Sequence, residues 1–264
     1  AGALAVLLAH GIGTHERNET WNTGETLWAD VVAKSPANGR AWMNYGLTHM
    51  ARGRYAEAKQ SFDRAAALTP NYSVLEINLG IAENALGDRV RAEQHFRRAL
   101  QLNPDHNAHY FFARWLVETG RGPEAVAHLQ TAVRLSPAGA PQRALLLRVL
   151  AATGAEAELT ALAAETRRID PNEPALRELE QRFASRDAAF DEGLREIQNR
   201  NWLAAAIATR TALAFNADDA DALNNLGWSL AQLGFTAEAK RAYEKALAIQ
   251  PNHERARNNL HLLR

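Results

Sequence analysis

The chain has 264 residues, of which 47% are hydrophobic, and its 30 basic residues balance its 30 acidic ones, so the formal net charge is zero. Nucleic-acid binding draws on an excess of positive charge, so this balance argues against a nucleic-acid partner. The absence of cysteine excludes disulfides, thiol catalysis and zinc sites with cysteine ligands.

Residues 1–14 form an uncharged and mostly apolar run. Spanning a bilayer takes about 20 such residues, so this run is too short to cross a membrane alone. Two interpretations stay open: a degenerate first helix that packs on the next element, or the trailing end of a membrane helix. No basic residue precedes the run, so we do not expect a cleaved signal peptide.

The following segment carries a short helical pattern. Trp21, Leu27 and Trp28 keep helical spacing, and Pro36 closes the run, because proline cannot continue a helix. We therefore assign 1–38 to an apolar N-terminal segment and a helix that precedes the repeats.

From this point, prolines recur every 33 or 34 residues, at positions 36, 70, 104, 137 and 171. Between successive prolines, two runs with helical periodicity are separated by a glycine, which can leave a helix in the left-handed conformation. Internal repeats of this length indicate stacked helix pairs. The pattern predicts four repeats over 39–173, of which the last two are degenerate.

The regular spacing fails after Pro171, because the next proline in the same register is Pro251, 80 residues later. Two repeats leave 12 extra residues, 174–185, whose composition favours a helix. The sequence predicts either one long helix from about 174 to 199 or two abutting helices. This inserted segment would join an N-terminal half to a C-terminal half.

Residues 186–264 are predicted to hold two repeats and a capping helix. The most regular repeat is 220–253, where Leu223, Leu226 and Leu230 lie on one face of a helix. Each of its two helices is too short to be stable alone, so they must bury their apolar faces against each other. Gly227 is small because the two helices cross closely at that point.

These residues resemble the tetratricopeptide repeat (TPR) family, whose unit is a helix–turn–helix of 34 residues. The positions that carry the resemblance in the most regular repeat are Leu226, Gly227, Gly234, Ala239, Tyr243, Ala246 and Pro251. The resemblance implies an all-α solenoid in which antiparallel helix pairs form a right-handed superhelix. It also implies a scaffold or assembly role, with a protein or peptide partner bound in the concave groove.

In the family, the first helices of successive repeats line that groove. Asparagine recurs at one groove position, which resembles the asparagine ladder of O-GlcNAc transferase repeats. An amide can donate and accept hydrogen bonds at once, so it can pair with the backbone of an extended peptide. The alternative, in which each asparagine bonds only the adjoining helix, stays open. The asparagines at this position are Asn44, Asn78, Asn225 and Asn259.

An aromatic and basic patch is expected in the middle of the groove. Aromatic residues and arginine are typical anchors of protein interfaces, although the same face could instead pack between adjacent repeats. The complete set of predicted groove residues is Asn44, Asn78, Tyr110, Phe111, Arg114, Arg148, Asn225, Trp228 and Asn259.

The sequence offers no recognisable catalytic or cofactor site. His106 and His109 could share a helix face, but they lack further ligands at matching spacing, so we predict no metal site. A Gly-rich phosphate loop, a nucleophile elbow and a pair of catalytic carboxylates are also missing. We therefore predict a protein that is not an enzyme and that needs no cofactor.

A second resemblance concerns the N-terminal region. Arg17-Asn18, Trp21 and Leu27-Trp28 are similar to the junction between the last membrane helix and the repeats in bacterial proteins related to TPR-containing O-mannosyltransferases. This resemblance implies a membrane tether and favours an extracytoplasmic, periplasmic location over the cytoplasm. It supports the alternative hypothesis of a soluble arm that presents substrates to a membrane glycosyltransferase. Self-association through repeat ends is a third hypothesis.

Overall fold

The computed structural model describes residues 21–180 and 185–263, and the regular structure in these ranges is α-helical throughout. The all-α prediction is therefore confirmed. In chain order the helices are α1 (Gly24–Lys34), α2 (Gly39–Met50), α3 (Tyr55–Leu68), α4 (Ser73–Ala85), α5 (Arg89–Leu102), α6 (His106–Glu118), α7 (Gly122–Leu135), α8 (Ala140–Thr153), α9 (Glu156–Ile169), α10 (Pro174–Glu180), α11 (Arg186–Gln198), α12 (Trp202–Phe215), α13 (Ala220–Gln232), α14 (Thr236–Ile249) and α15 (Glu254–Leu262).

The helix boundaries follow from local chemistry. Asn38, Asp105 and Asp219 each accept a backbone N–H from the first turn of the helix that follows, which satisfies a donor that has no partner within the helix. The turn inside each repeat contains a residue with positive φ. This residue is Gly53, Gly87, Gly120, Gly154 or Gly234, and in one repeat it is Arg200.

The first compact unit ends at Pro104 and contains two helix pairs, α2–α3 and α4–α5. In each pair a glycine of the first helix packs on an aromatic ring of the second. A Cβ atom on Gly46 would lie 2.5 Å from the Phe62 ring, and one on Gly80 would lie 3.0 Å from the Phe96 ring. The helices can cross this closely because the first one has no side chain at the crossing point.

The second compact unit begins at Asp105 and contains the helix pairs α6–α7, α11–α12 and α13–α14. Gly227 packs on Tyr243 in the last of these pairs, so the helices cross closely at Gly227, as the sequence predicts. Helix α8 lies at the centre of the unit, where it packs against α7, α9, α10 and α12. Seven of its residues are buried, because a helix that is apolar on several sides must be covered on several sides.

Two turns of the second unit are in direct contact. The backbone N–H of Gly122 donates a hydrogen bond of 2.8 Å to the carbonyl oxygen of Leu233. A Cβ atom on Gly234 would overlap the carbonyl oxygen of Gly120. In a simple stack each repeat contacts only its neighbours, so this contact between sequence-distant repeats is an addition to the expected packing.

The inserted segment contains helix α10, and the repeat that follows begins with a separate helix, α11, so one unbroken helix from 174 to 199 does not form. Helix α10 ends at Glu180, and α11 begins after Ser185, whose backbone is extended (φ −156°) and whose hydroxyl oxygen accepts the N–H of Ala188. Helix α10 packs on α8, and its residues Ala175 and Leu176 are buried. The predicted join at 174–185 lies within the second compact unit.

The apolar run 1–14 and the residues Arg17-Asn18 lie outside the described residues. Among the helices of residues 21–180 and 185–263, none is both long enough and apolar enough to cross a membrane.

Candidate functional site

The structure places some of the first helices side by side within each compact unit. In the first unit these helices are α2 and α4, and in the second unit they are α11, α13 and α15. We call the surface formed by α11, α13 and α15 the C-terminal wall. Equivalent residues on it are 34 positions apart, so they form rows that cross the three helices.

The first row of the C-terminal wall is apolar and accessible. It consists of Leu194, Trp228 and Leu262. Leu194 is 37% exposed and Leu262 is 76% exposed, while Trp228 is half-buried. Trp228 was expected in the groove, and its two leucine neighbours were not. An isolated exposed leucine needs no explanation, but a row of three apolar side chains on adjacent helices is typical of an interaction surface.

The second row lies one helical turn closer to the helix N-termini and contains Asp191, Asn225 and Asn259. The two asparagines are joined through the buried Asn224. The side-chain amide of Asn259 donates to the Asn224 oxygen at 3.0 Å, and the Asn224 amide donates to the Asn225 oxygen at 3.4 Å. Each amide has more hydrogen-bonding positions than these bonds use, so a partner can still be bound.

The third row, near the helix N-termini, carries charges. It consists of Asp187, Asp221 and Arg255. The side chain of Asp187 is 80% exposed and that of Asp221 is 62% exposed. Asp221 also lies 3.2 Å from the Nε2 atom of His253, which caps α15. The wall therefore changes from apolar to polar to charged along the direction of its helices.

Of the two asparagines of the first unit, only Asn78 is less accessible than Asn225 and Asn259. Asn44 on α2 is half-buried, and Asn78 on α4 is only 7% exposed. A buried amide can reach a ligand only with part of its surface. Their role in the groove stays a prediction.

The residues of the expected aromatic and basic patch belong to two different local environments. On α6, the rings of Tyr110 and Phe111 are in edge contact at 5.1 Å, and the Arg114 guanidinium lies 5.1 Å above the Phe111 ring. On α8, Arg148 donates to the Glu178 carboxylate of α10 at 3.1 and 2.5 Å. The guanidinium of Arg148 is thus in an ion pair with α10, a helix that the sequence analysis did not place at the groove.

A histidine pair in the same unit was also not predicted. The Nδ1 atoms of His109 and His128 are 2.9 Å apart, so one ring donates a hydrogen bond to the other. Burial is the main cause of a lowered pKa for His109, and Arg134 adds to this effect while Asp105 opposes it. The sequence analysis placed His109 and His106 on one helix face, whereas in the structure His109 is hydrogen-bonded to His128 of α7. No group of three or more potential metal ligands occurs within the described residues.

Comparison with known families identifies repeats in both compact units. A tetratricopeptide repeat family model matches residues 39–72 and 220–253, and a second tetratricopeptide repeat model matches residues 77–140. Together these matches cover half of the chain. No curated protein sequence matches it.

Solved structures with similar arrangements include three that have 17–18% identity to this chain. The structure of YrrB, described as a TPR protein with an unusual peptide-binding site, gives a TM-score of 0.45 at 18% identity and covers 88% of this chain and 96% of that one. The structure of the APC/C hetero-tetramer Cut9-Hcn1 gives a TM-score of 0.49 at 17% identity and covers 92% of this chain and 46% of that one. The structure of MamA gives a TM-score of 0.48 at 17% identity and covers 55% of this chain and 85% of that one. At these identities the likeness says nothing about what this chain binds.

Proposed function

We propose that this chain, which belongs to the tetratricopeptide repeat family, is a protein-interaction module that binds a partner segment along the C-terminal wall. Proteins of this family are generally non-catalytic interaction modules. The observation that carries the proposal is the accessible apolar row of Leu194, Trp228 and Leu262 on three adjacent first helices. Desolvating such a row on binding gives the main favourable contribution to affinity.

The other side of the same helix pairs is already used within the second unit. Helix α12 packs on α8, and Arg210 of α12 donates to the carbonyl oxygens of Ala152 and Thr153 at 2.7 and 2.5 Å. The α13–α14 turn is bonded to the α6–α7 turn through Gly122 and Leu233. These contacts hold α12 and the α13–α14 turn against other helices of the second unit. The exposed faces of α11, α13 and α15 are left as the surface for a partner.

The polar residues have a supporting role in this proposal. Asn225 and Asn259 hydrogen-bond the backbone of the bound segment, while the apolar row holds its side chains. Asn44 and Asn78 would act in the same way in the first unit. The residues Tyr110, Phe111, Arg114 and Arg148 would supply additional anchors in a scaffold or assembly role.

The two other hypotheses stay predictions. The glycosyltransferase arm and the membrane tether depend on residues 1–28, most of which lie outside the described residues. Self-association through repeat ends can be tested by light scattering at several protein concentrations.

Matched substitutions in one compact unit test the proposed function. Leu262→Asp and Trp228→Ala alter the apolar row, whereas Phe215→Ala removes a 52% exposed aromatic residue of α12. Proteins that co-purify with the chain from its source cells are quantified for the wild type and each variant. We expect specific partners to fall at least tenfold for both row variants and to stay unchanged for Phe215→Ala. Partners retained by both row variants would overturn the proposal.

A further inference from the structure

The part of the C-terminal wall formed by α11 and α13 is acidic, although the whole chain is neutral. Helices α11 and α13 contain five acidic and two basic residues, which gives a net charge of −3. Three of the acidic residues, Asp187, Asp191 and Asp221, are exposed at wall positions.

Of the two arginines of these helices, the exposed Arg195 pairs with Glu192 at 2.6 Å. The Arg186 guanidinium is bound to the buried carboxylate of Asp219 and lies 4.4 Å above the Phe190 ring. Arg186 also contacts Asp187 at 2.8 Å, but an exposed ion pair of this kind is strongly screened by water. Arg210 faces the carbonyl oxygens of α8 instead. Helix α15 adds Glu254, Arg255 and Arg257, so the three helices of the wall together carry a net charge of −2 (−3 + 1). The acidic part at α11 and α13 therefore favours a positively charged ligand.

The spacing of the rows restricts the backbone conformation of the ligand. Packed helices lie about 8–10 Å apart, so neighbouring side chains in the apolar row are separated by a similar distance. A polyproline II segment rises about 3.1 Å per residue with three residues per turn, so every third side chain points to the same side at roughly 9 Å intervals. This spacing fits one apolar side chain to each helix of the wall.

The amide row favours the same conformation. A polyproline II segment has no internal hydrogen bonds, so its backbone N–H and C=O groups are free to pair with Asn225 and Asn259. An α-helical ligand satisfies these backbone groups itself and would leave the amide row unused.

We infer that the C-terminal wall binds an extended, polyproline II-like segment that has an apolar residue at every third position and lysine or arginine between them. This inference rests on the proposed function, because it specifies the partner of the same surface. The apolar side chains contact Leu194, Trp228 and Leu262, and the basic side chains face Asp187, Asp191 and Asp221.

Two dye-labelled peptides test the inference directly by fluorescence anisotropy. One contains four copies of Leu-Pro-Lys and the other contains four copies of Leu-Pro-Glu, so that they differ only in charge. We expect the lysine peptide to bind at least tenfold more tightly, with a preference that declines as salt is added. The double variant Asp187→Lys with Asp191→Lys should reduce or reverse this preference, and circular dichroism checks that it is folded.

The outcomes separate the two proposals. Equal affinities, or a preference for the glutamate peptide, would overturn the inferred ligand chemistry, as would undetectable binding of both peptides. If Trp228→Ala weakens both peptides while their affinities stay equal, the wall is the binding surface and only its charge preference is wrong. If the peptides bind but neither Trp228→Ala nor Leu262→Asp weakens their binding, the C-terminal wall is not the binding surface.

Discussion

The backbone N–H of Gly122 is bonded to the carbonyl oxygen of Leu233 at 2.8 Å, although the two residues belong to different repeats. The same contact brings Gly234 against the carbonyl oxygen of Gly120 with no room for a side chain. These glycines therefore serve two purposes. Gly120 and Gly234 follow the ends of their helices with positive φ, and they let two turns of the second unit pack backbone to backbone.

Gly234→Ala should be strongly destabilising because it adds a clash to an unfavourable backbone conformation. A residue with a Cβ atom in the left-handed region costs about 1–2 kcal/mol, and overpacking against the Gly120 carbonyl should add about 1–3 kcal/mol. Urea unfolding measures the loss.

Gly87→Ala is the matched control for this substitution. Gly87 has a similar φ of 90°, but a Cβ atom there would have no neighbour within 4 Å. This variant should lose only the backbone contribution. Equal losses for the two variants would show that the turn contact does not form.

Glu173→Ala should destabilise the second unit because it leaves a buried charge without its partner. Arg143 is 1% exposed and Glu173 is 3% exposed, with 3.5 Å between Nη2 and Oε2. Removing one partner of a buried ion pair costs about 3–5 kcal/mol. The control is Glu178→Ala, which removes the exposed partner of Arg148 and should cost no more than about 1 kcal/mol. Similar midpoints in thermal unfolding for the two variants would contradict the buried-pair interpretation.

The stability of the protein should fall as the pH drops below 6.5, because burial lowers the pKa of both His49 and His109. A histidine whose pKa is lower in the folded state binds more protons when unfolded, so its contribution to stability is present at high pH and is lost as the pH falls toward the folded pKa. His109→Gln should reduce this loss.

The measurement is the difference in melting temperature between pH 7.5 and pH 5.5. The matched control is His106→Gln, a change on the same helix that leaves the His109–His128 pair in place. If His109→Gln and His106→Gln behave alike, the His109–His128 pair does not contribute to the pH response.

The helix pairs could be predicted from the sequence because the interactions that define them are local. Gly227 and Tyr243 lie within one repeat, and the glycine turns depend on a single residue each. The contact of Gly122 with Leu233 could not be predicted, because it depends on how distant repeats pack. The apolar character of α8 does signal a helix covered on several sides, but it does not identify α12 as one of its neighbours.

The candidate site was only partly predictable for a similar reason. Trp228 was expected in the groove because of its place in the most regular repeat. Leu194 and Leu262 were missed, because leucine in a helical pattern normally indicates the core. Only the structure shows that both are accessible and that their helices lie beside α13. Arg148 was expected at the groove surface, but its contact with Glu178 depends on the fold of the inserted segment.

Site-specific photo-crosslinking at the C-terminal wall tests the central claim most directly. A photoreactive amino acid replaces Leu194 or Leu262 on the wall, or Phe215 on α12 as the control, and the chain is irradiated in its source cells. We predict that the two wall positions crosslink to the same partner protein and that position 215 does not. Crosslinking at position 215 but at neither wall position would contradict the assignment of this surface as the binding site.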